Sequence, residues 1–508
     1  MLKEKKSDYK WILIWVSGIL CLMITSWNPY IQYDEAYTLA LIQHKWSDVV
    51  RITALDVHPP FYYLLVKLFT LPFQGNMWAV RAFNLLPLMG MFFNGYWIVR
   101  RLWGEQTGLW FSFLSVFLPA NMTYLLPEMR MYGLASHLVV STYLMGCILT
   151  KERWDILSEK KTWCLFWIFG ILAAYTQYYA LIAVALVYIW MAAAMLFRAR
   201  ALRESFLWGA RCRAWCISVV CSILVYFPWL LVLLRQFGEV KEDYWIPPIT
   251  IANGLSYVLF PIYSFMPVVA GLLLAGIVFL LVVLELINVR KKEAAERKDW
   301  KTIGSGLFVY IGMIAVGVVV SVTIRPVFSV RYVKCGLGIL VLCLSCFFAN
   351  MARKKQLVLL VVLGLFALVN LTVSVGKSVK NFKAYEAMQA YAEEHFDQNT
   401  VLAFEEDGHY MGIFSHWFRK YPCVIPDEHW KDEYQAFSPA LMMRSDYERE
   451  YGSLREKEFW TVDIGNVCLY HEWNRETWQY LEHSEPFVFC DQTEQLQCVF
   501  THLSGASQ

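Results

Sequence analysis

Apolar stretches long enough to cross a bilayer recur from Trp11 to Val375. A hydrocarbon core of about 30 Å needs roughly 20 apolar residues in helical form. On that rule the pattern predicts spans at 11–27, 79–99, 107–126, 131–150, 163–177, 179–197, 214–234, 266–288, 303–324, 332–350 and 356–375. The run Phe61–Phe73 is too short to cross unaided, so 28–78 reads as one long loop lying along the membrane. Within it Leu39, Ile42, Trp46 and Val49/Val50 share one helical face, while Gln43, Lys45 and Asp48 fall elsewhere. That is the pattern of an interfacial helix over 34–52. Beyond Gly376 the long apolar runs stop. Helix is expected at 383–395 and 408–419, and strand at 400–405, 422–426, 459–464 and in a pair near 487–500. The chain therefore divides into a mainly α, multi-pass membrane domain at 1–375 and a small soluble α/β domain at 376–508.

Charge sharpens this division. Of 508 residues 58% are hydrophobic and 17% charged, against about 25% charged in ordinary soluble domains. The net charge of +3 combines +15 over the first 375 residues with −12 over the remainder. The acidity of the C-terminal domain argues against nucleic acid as a partner. Lys and Arg also orient the spans. With the N-terminus in the cytoplasm, the inner segments hold 24 of them and the short outer loops hold 8. Eleven spans then place the C-terminal domain outside the cytoplasm. Lys3, Lys5, Lys6 and Lys10 precede the first span, and no small-residue cleavage site follows it, so it reads as retained.

Four polar clusters fall on the proposed outer face. Tyr33-Asp34-Glu35-Ala36-Tyr37 opens the interfacial helix. Adjacent carboxylates beside an apolar surface can act as a general base, a metal ligand or a substrate clamp. They equally suit a helix start, with Asp34 as N-cap and Glu35 at the positive end of the dipole. Asp56-Val57-His58-Pro59-Pro60-Phe61-Tyr62-Tyr63 puts a histidine at the water–lipid boundary, ahead of a helix that the prolines allow to start. Pro127-Glu128-Met129-Arg130-Met131-Tyr132 and Arg325-Pro326-Val327-Phe328-Ser329-Val330-Arg331-Tyr332 supply guanidinium groups. Each arginine alone can merely snorkel, yet its planar fork also matches a phosphate. No dinucleotide fingerprint or P-loop occurs.

The order of these motifs resembles bacterial glycosyltransferase family 39 of the GT-C superfamily, with its protein O-mannosyltransferases and lipid A aminoarabinose transferases. The residues that carry the resemblance are Asp34-Glu35-Ala36-Tyr37, His58-Pro59-Pro60-Phe61-Tyr62-Tyr63, Arg81 and Arg100-Arg101-Leu102-Trp103-Gly104. It is strongest over 28–150 and continues through Tyr175–Tyr179 and Trp245–Pro248 to Arg325–Tyr332. The resemblance implies a GT-C fold and transfer of a sugar from a polyprenyl-phosphate donor to a lipid, glycan or protein acceptor. Asp34 then maps to the catalytic carboxylate, with Glu35 positioning the acceptor or a metal. His58, Arg81, Arg130 and Arg331 fall to the phosphate region, and Tyr37 and Tyr62 join the substrate-binding set. No cofactor is assigned, and a divalent metal stays open. The chain departs from aminoarabinose transferases at His58, where they often carry Lys, and at Tyr37, where they carry Arg. Donor sugar and acceptor are left open accordingly.

The rival class is a lipid or oligosaccharide transporter, in which intramembrane charges line a path. Paired inverted repeats would mark it, and the sequence displays none. Cys343-Leu344-Ser345-Cys346 has the spacing of a redox or metal motif but sits inside an apolar run. Cys423, Cys468, Cys490 and Cys498 in the soluble domain leave disulfide pairing open. The charge asymmetry generates a topological prediction. Alkaline phosphatase fused after Val375 is expected to be active, and a well-expressed but inactive fusion would overturn the eleven-span arrangement.

Overall fold

The computed structural model describes residues 2–202, 209–239, 246–262, 276–281, 283–285, 299–404, 408–425, 441–464, 478–490 and 495–505. Among these, eight helices are long and apolar enough to cross a membrane: Tyr9–Ser26, Met77–Trp103, Tyr132–Lys151, Tyr178–Arg200, Ala210–Gln236, Trp300–Thr323, Val330–Ala349 and the apolar part of Arg353–His395. The expected span at 163–177 is the 16-residue helix Glu159–Ala174. The one at 107–126 is interrupted. Its helix Glu105–Phe117 stops because Leu118 is extended ahead of Pro119, and a π-helical turn follows at Asn121–Leu125. The expected span at 266–288 lies mostly outside the described residues, as do Trp245 and Cys468.

The chain forms two compact units. The first contains Met1–Thr25, Thr53–Tyr62 and Arg81–Leu371. Its helices pack through small residues, as bilayer helices do where backbones must approach closely. A Cβ on Gly338 would lie 2.7 Å from the Ser136 carbonyl, and one on Gly306 would lie within 2.4 Å of Cys343 Sγ. The helix Tyr132–Lys151 is deeply enclosed, with Leu134 through Leu149 almost wholly buried.

The second unit contains Ser26–Ile52, Tyr63–Val80 and Thr372–Gln508. Its centre is a mixed sheet of β1 (Leu402–Ala403), β2 (Cys423–Ile425), β3 (Leu441–Met443), β4 (Glu458–Ile464), β5 (Trp478–His483), β6 (Phe487–Cys490) and β7 (Gln495–Gly505). The order is β3-β2-β1-β4-β7-β5, with β6 also on β7. β1, β2, β3 and β4 run parallel, and β7 is antiparallel to β4, β5 and β6. Alternation along β4 and β7 sends residues to both faces. Phe459 and Leu503 join Val401, Val424, Tyr447, Leu454 and Trp478 in one core. Trp460 and Phe500 meet Tyr391, Phe396 and Phe418 on the other face.

Three sequence expectations change here. The span at 356–375 and the helix at 383–395 are one 43-residue helix, Arg353–His395, since no proline separates them and a lone Gly376 does not end a helix. The interfacial helix over 34–52 is two helices, Tyr33–Leu41 and Trp46–Leu55. They part where Gln43 and His44 turn back onto Ala40 and Leu41, which leaves Trp46 and Val50 exposed while Leu39, Ile42 and Val49 are buried. The helix Arg444–Tyr451 and strands β3 and β5 are additional to the expected elements. Cys423, Cys490 and Cys498 are free thiols, and burial pushes Cys423 up to about 12. A thiol held protonated in this way is a packing group, not a nucleophile.

Candidate functional site

The predicted residues fall into the two units and are taken in turn. In the first unit the chain from Leu126 to Arg130 leaves helical geometry just ahead of the helix Tyr132–Lys151. Its carbonyl groups need donors, because irregular backbone at membrane depth is tolerated only when protein groups satisfy it. Asn84 Nδ2 donates to the Leu126 and Glu128 carbonyls at 2.8 and 2.9 Å. Arg81 Nη1 donates to the Pro127 carbonyl at 3.2 Å. Both donors lie near the start of the span Met77–Trp103 and are almost fully buried.

Side chains of the same turn reach further elements. Glu128 Oε2 accepts from Lys334 Nζ at 2.5 Å, and Lys334 is only 4% exposed. The ammonium also stands over the rings of Tyr132 and Tyr124, 4.8 and 5.4 Å from their centroids, so the aromatic faces share its charge. Arg130, 2% exposed, puts Nη2 at 3.3 Å from His58 Nε2, and His58 Nδ1 lies 2.9 Å from Asp56 Oδ2. Three buried cations thus surround one turn, at the N-terminal ends of the spans that begin at Met77, Tyr132 and Val330. Helix N-termini add their own positive field at those ends.

Arg331 lies on the 3₁₀ helix Val330–Gly336, one turn before Lys334. Aromatic packing fixes this segment. Tyr332 stacks on Tyr179 at 4.7 Å, Tyr179 Oη donates to the Val327 carbonyl at 2.8 Å, and Phe328 packs between Tyr179 and Tyr257. Tyr62 is fully buried with its ring edge-on to Phe83 at 5.7 Å. The structure therefore brings together His58 and Arg130 directly, and Arg81 through the turn that carries Arg130.

Asp34, Glu35 and Tyr37 belong to the second unit, on the helix Tyr33–Leu41. The N-cap is Gln32, which corrects the expectation that Asp34 caps the helix. Glu35 performs the capping: its Oε2 accepts from the Gln32 backbone N–H at 3.0 Å, and the residue is 4% exposed. Asp34 is half-buried at the second helical position. Tyr37 packs edge-on to Tyr63 at 5.7 Å. The helix itself packs on Gly408–Trp417, the connection between β1 and β2. Among the described residues no three His, Cys, Asp or Glu side chains gather as a metal site.

Four participants were not among the sequence candidates: Asp56, Asn84, Glu128 and Lys334. Lys334 carried a signal, since a lysine within an apolar run must find a partner. Asp56 lay inside a quoted motif, and its role depends on a contact across 72 residues between His58 and Arg130.

No protein-family model matches the sequence, and no curated protein matches it. Two solved structures align along almost its full length. One is the crystal structure of ArnT from Cupriavidus metallidurans bound to undecaprenyl phosphate, with TM-score 0.58 and 10% identity over 96% of this chain and 97% of that one. The other is the same protein in the apo state, with TM-score 0.61 and 10% identity over 97% and 98%. The chain shares the fold of ArnT along nearly its whole length. The chain is a multi-pass membrane protein with a C-terminal sheet domain, as the apolar pattern predicted. At 10% identity the shared property is the course of the chain, so residue roles rest on the geometry above.

The Glu128–Lys334 pair yields a stability prediction. Removing one partner of a buried ion pair costs about 3–5 kcal/mol, because the other charge is left uncompensated. Glu128 is partly exposed at 13%, so Glu128→Ala is expected to lose about 3 kcal/mol. Combining it with Lys334→Met should recover much of that loss. Denaturant unfolding of both variants in detergent measures the difference, and an equally unstable double variant would mean that the pair is not the source.

Proposed function

We propose that the protein is an integral-membrane glycosyltransferase that takes its sugar from a polyprenyl-phosphate donor at the outer face of the membrane. The observation that carries this reading is the GT-C fold shared along nearly the whole chain with ArnT, a protein crystallised with undecaprenyl phosphate bound. The buried cations at the ends of three spans support it, since a leaving phosphate at the boundary needs positive partners. The proposed orientation has the N-terminus in the cytoplasm and the segment 376–508 outside, as the distribution of Lys and Arg favours.

In the proposed reaction the Asp34 carboxylate takes the proton from an acceptor hydroxyl. The acceptor oxygen attacks the anomeric carbon, and the bond from that carbon to the phosphate oxygen breaks. Attack from the face opposite the leaving group inverts the anomeric centre. Arg130 and Arg331 hold the departing polyprenyl phosphate, with Arg81 keeping the Arg130 turn in place. Tyr37 and Tyr62 line the substrate region. Glu35 positions the acceptor side by closing the start of the helix on which Asp34 sits.

Two substitutions test the assignment. Asp34→Asn keeps size and polarity but removes the base, whose loss costs about 10²–10⁴ in rate. The expected protein is stable and membrane-inserted, binds donor lipid, and transfers almost no sugar. Glu35→Gln retains an oxygen acceptor for the Gln32 N–H and should lose much less. Wild-type turnover in Asp34→Asn would remove Asp34 from the mechanism, and unimpaired lipid translocation without any sugar transfer by the parent would favour a transporter. Separately, Arg130→Ala should weaken binding of a polyprenyl-phosphate analogue by about 1.5–3 kcal/mol, the range for a hydrogen bond to a charged group. Unchanged binding in a calorimetric titration would place the phosphate elsewhere.

A further inference from the structure

We infer that His58 works as a neutral hydrogen-bond relay and not as a cation, and that Asp56 is the positioning residue that fixes its tautomer and so aims Arg130. The inference deepens the proposed function, because it rests on Arg130 holding the donor phosphate. A guanidinium carries only donors, so His58 Nε2, at 3.3 Å from Arg130 Nη2, must offer its lone pair. The ring proton then belongs on Nδ1, where it points at Asp56 Oδ2, 2.9 Å away. A doubly protonated ring would turn an N–H toward the guanidinium N–H and set two like charges against each other. A lysine in this position could donate to Asp56 but could not accept from Arg130.

The backbone around His58 is built to hold the relay still. The Gln236 side-chain amide, 5% exposed, donates to the carbonyls of Thr53 and Ala54 at 3.2 and 3.1 Å and also to that of Asp56. These are carbonyls left open at the end of the helix Trp46–Leu55. Gln236 Oε1 is itself fixed by Tyr178 Oη at 2.5 Å, and Trp229 Nε1 donates to the same hydroxyl at 3.1 Å. On the far side Pro59 and Pro60 restrict the chain, and the Phe61 N–H donates to the Tyr175 carbonyl at 3.2 Å. The side chains follow the same gradient, with Asp56 33% exposed, His58 14% and Arg130 2%.

The test uses the full-length protein in lipid, labelled with ring-¹⁵N histidine, with His58 assigned as the signal lost in His58→Gln. The expected spectrum shows a protonated Nδ1 and an unprotonated, hydrogen-bonded Nε2 at neutral pH, and Asp56→Asn shifts both signals. An imidazolium or an Nε2–H tautomer in the parent overturns the inference. Kinetics give a second reading. Gln can accept from Arg130 through its oxygen and donate to Asp56 through its nitrogen, so His58→Gln should lose donor kcat/KM by only a few-fold. His58→Lys should fall at least about tenfold further, the size expected when a charged hydrogen bond is lost. The reverse order, with Lys outperforming Gln, would show that His58 serves as a positive charge and would overturn the relay. Failure of the underlying reading looks different: Arg130→Ala would then leave donor binding intact while the His58 spectrum kept the Nδ1–H form.

Discussion

The membrane unit depends on one constraint: the backbone of Leu126–Arg130 leaves helical geometry among apolar helices and must be satisfied by side chains. Asn84 and Arg81 supply the donors for three successive carbonyls. Once the turn is held, the rest follows from it. Glu128 is presented to Lys334, which ties in the segment that also carries Arg331. Arg130 is turned to His58 and through it to Asp56. A buried arginine that served only to neutralise charge could sit anywhere on a helix. Here its position is set by a turn whose every carbonyl from 126 to 128 is engaged, so the fold itself holds the guanidinium in place.

Most of the spans and the presence of a C-terminal sheet domain were legible because hydrophobic length is a local signal. The sites were legible only in part. His58 and Arg130 stood out as polar groups at the ends of apolar runs, and the structure joins them. Asn84 gave no signal, since an uncharged amide within an apolar run differs little from a packing residue until its partners 42 and 44 residues away are known. The break at Leu118 was readable from Pro119, but hydropathy averaged over a window carried the span past it. β3 and β5 escaped notice because short strands flanked by polar sequence derive their stability from neighbours rather than from their own pattern.

Composition also concealed how the second unit is assembled. Segments 26–52 and 63–80 read as a membrane-surface loop, yet they fold with residues after 372. Asn381 shows how this is achieved. Its buried amide bonds the Asn28 side chain at 3.1 Å and both the carbonyl and the N–H of Cys490, at 3.1 and 2.7 Å. Phe382 next to it receives the rings of Trp27 and Trp78. The residues that make these contacts lie in the C-terminal part of the 43-residue helix Arg353–His395. Within this unit the C-terminal domain is therefore a platform for the helix that begins at Tyr33.

That platform bears on how two adjacent carboxylates come to differ. Both sit in the first turn of one helix, where the dipole favours negative charge. Glu35 is turned inward and spends an oxygen on the Gln32 N–H, one of the donors that every helix start leaves open. Asp34, one residue earlier, projects about 100° around the axis and remains half-buried. Moving the capping task from Asp34 to Glu35 changes the logic of the pair. A carboxylate that caps its own helix is held in place by the fold. Its neighbour receives the same favourable field without the capping bond. On this geometry Glu35 orders the turn, and Asp34 is the carboxylate to which the proposed proton transfer is assigned.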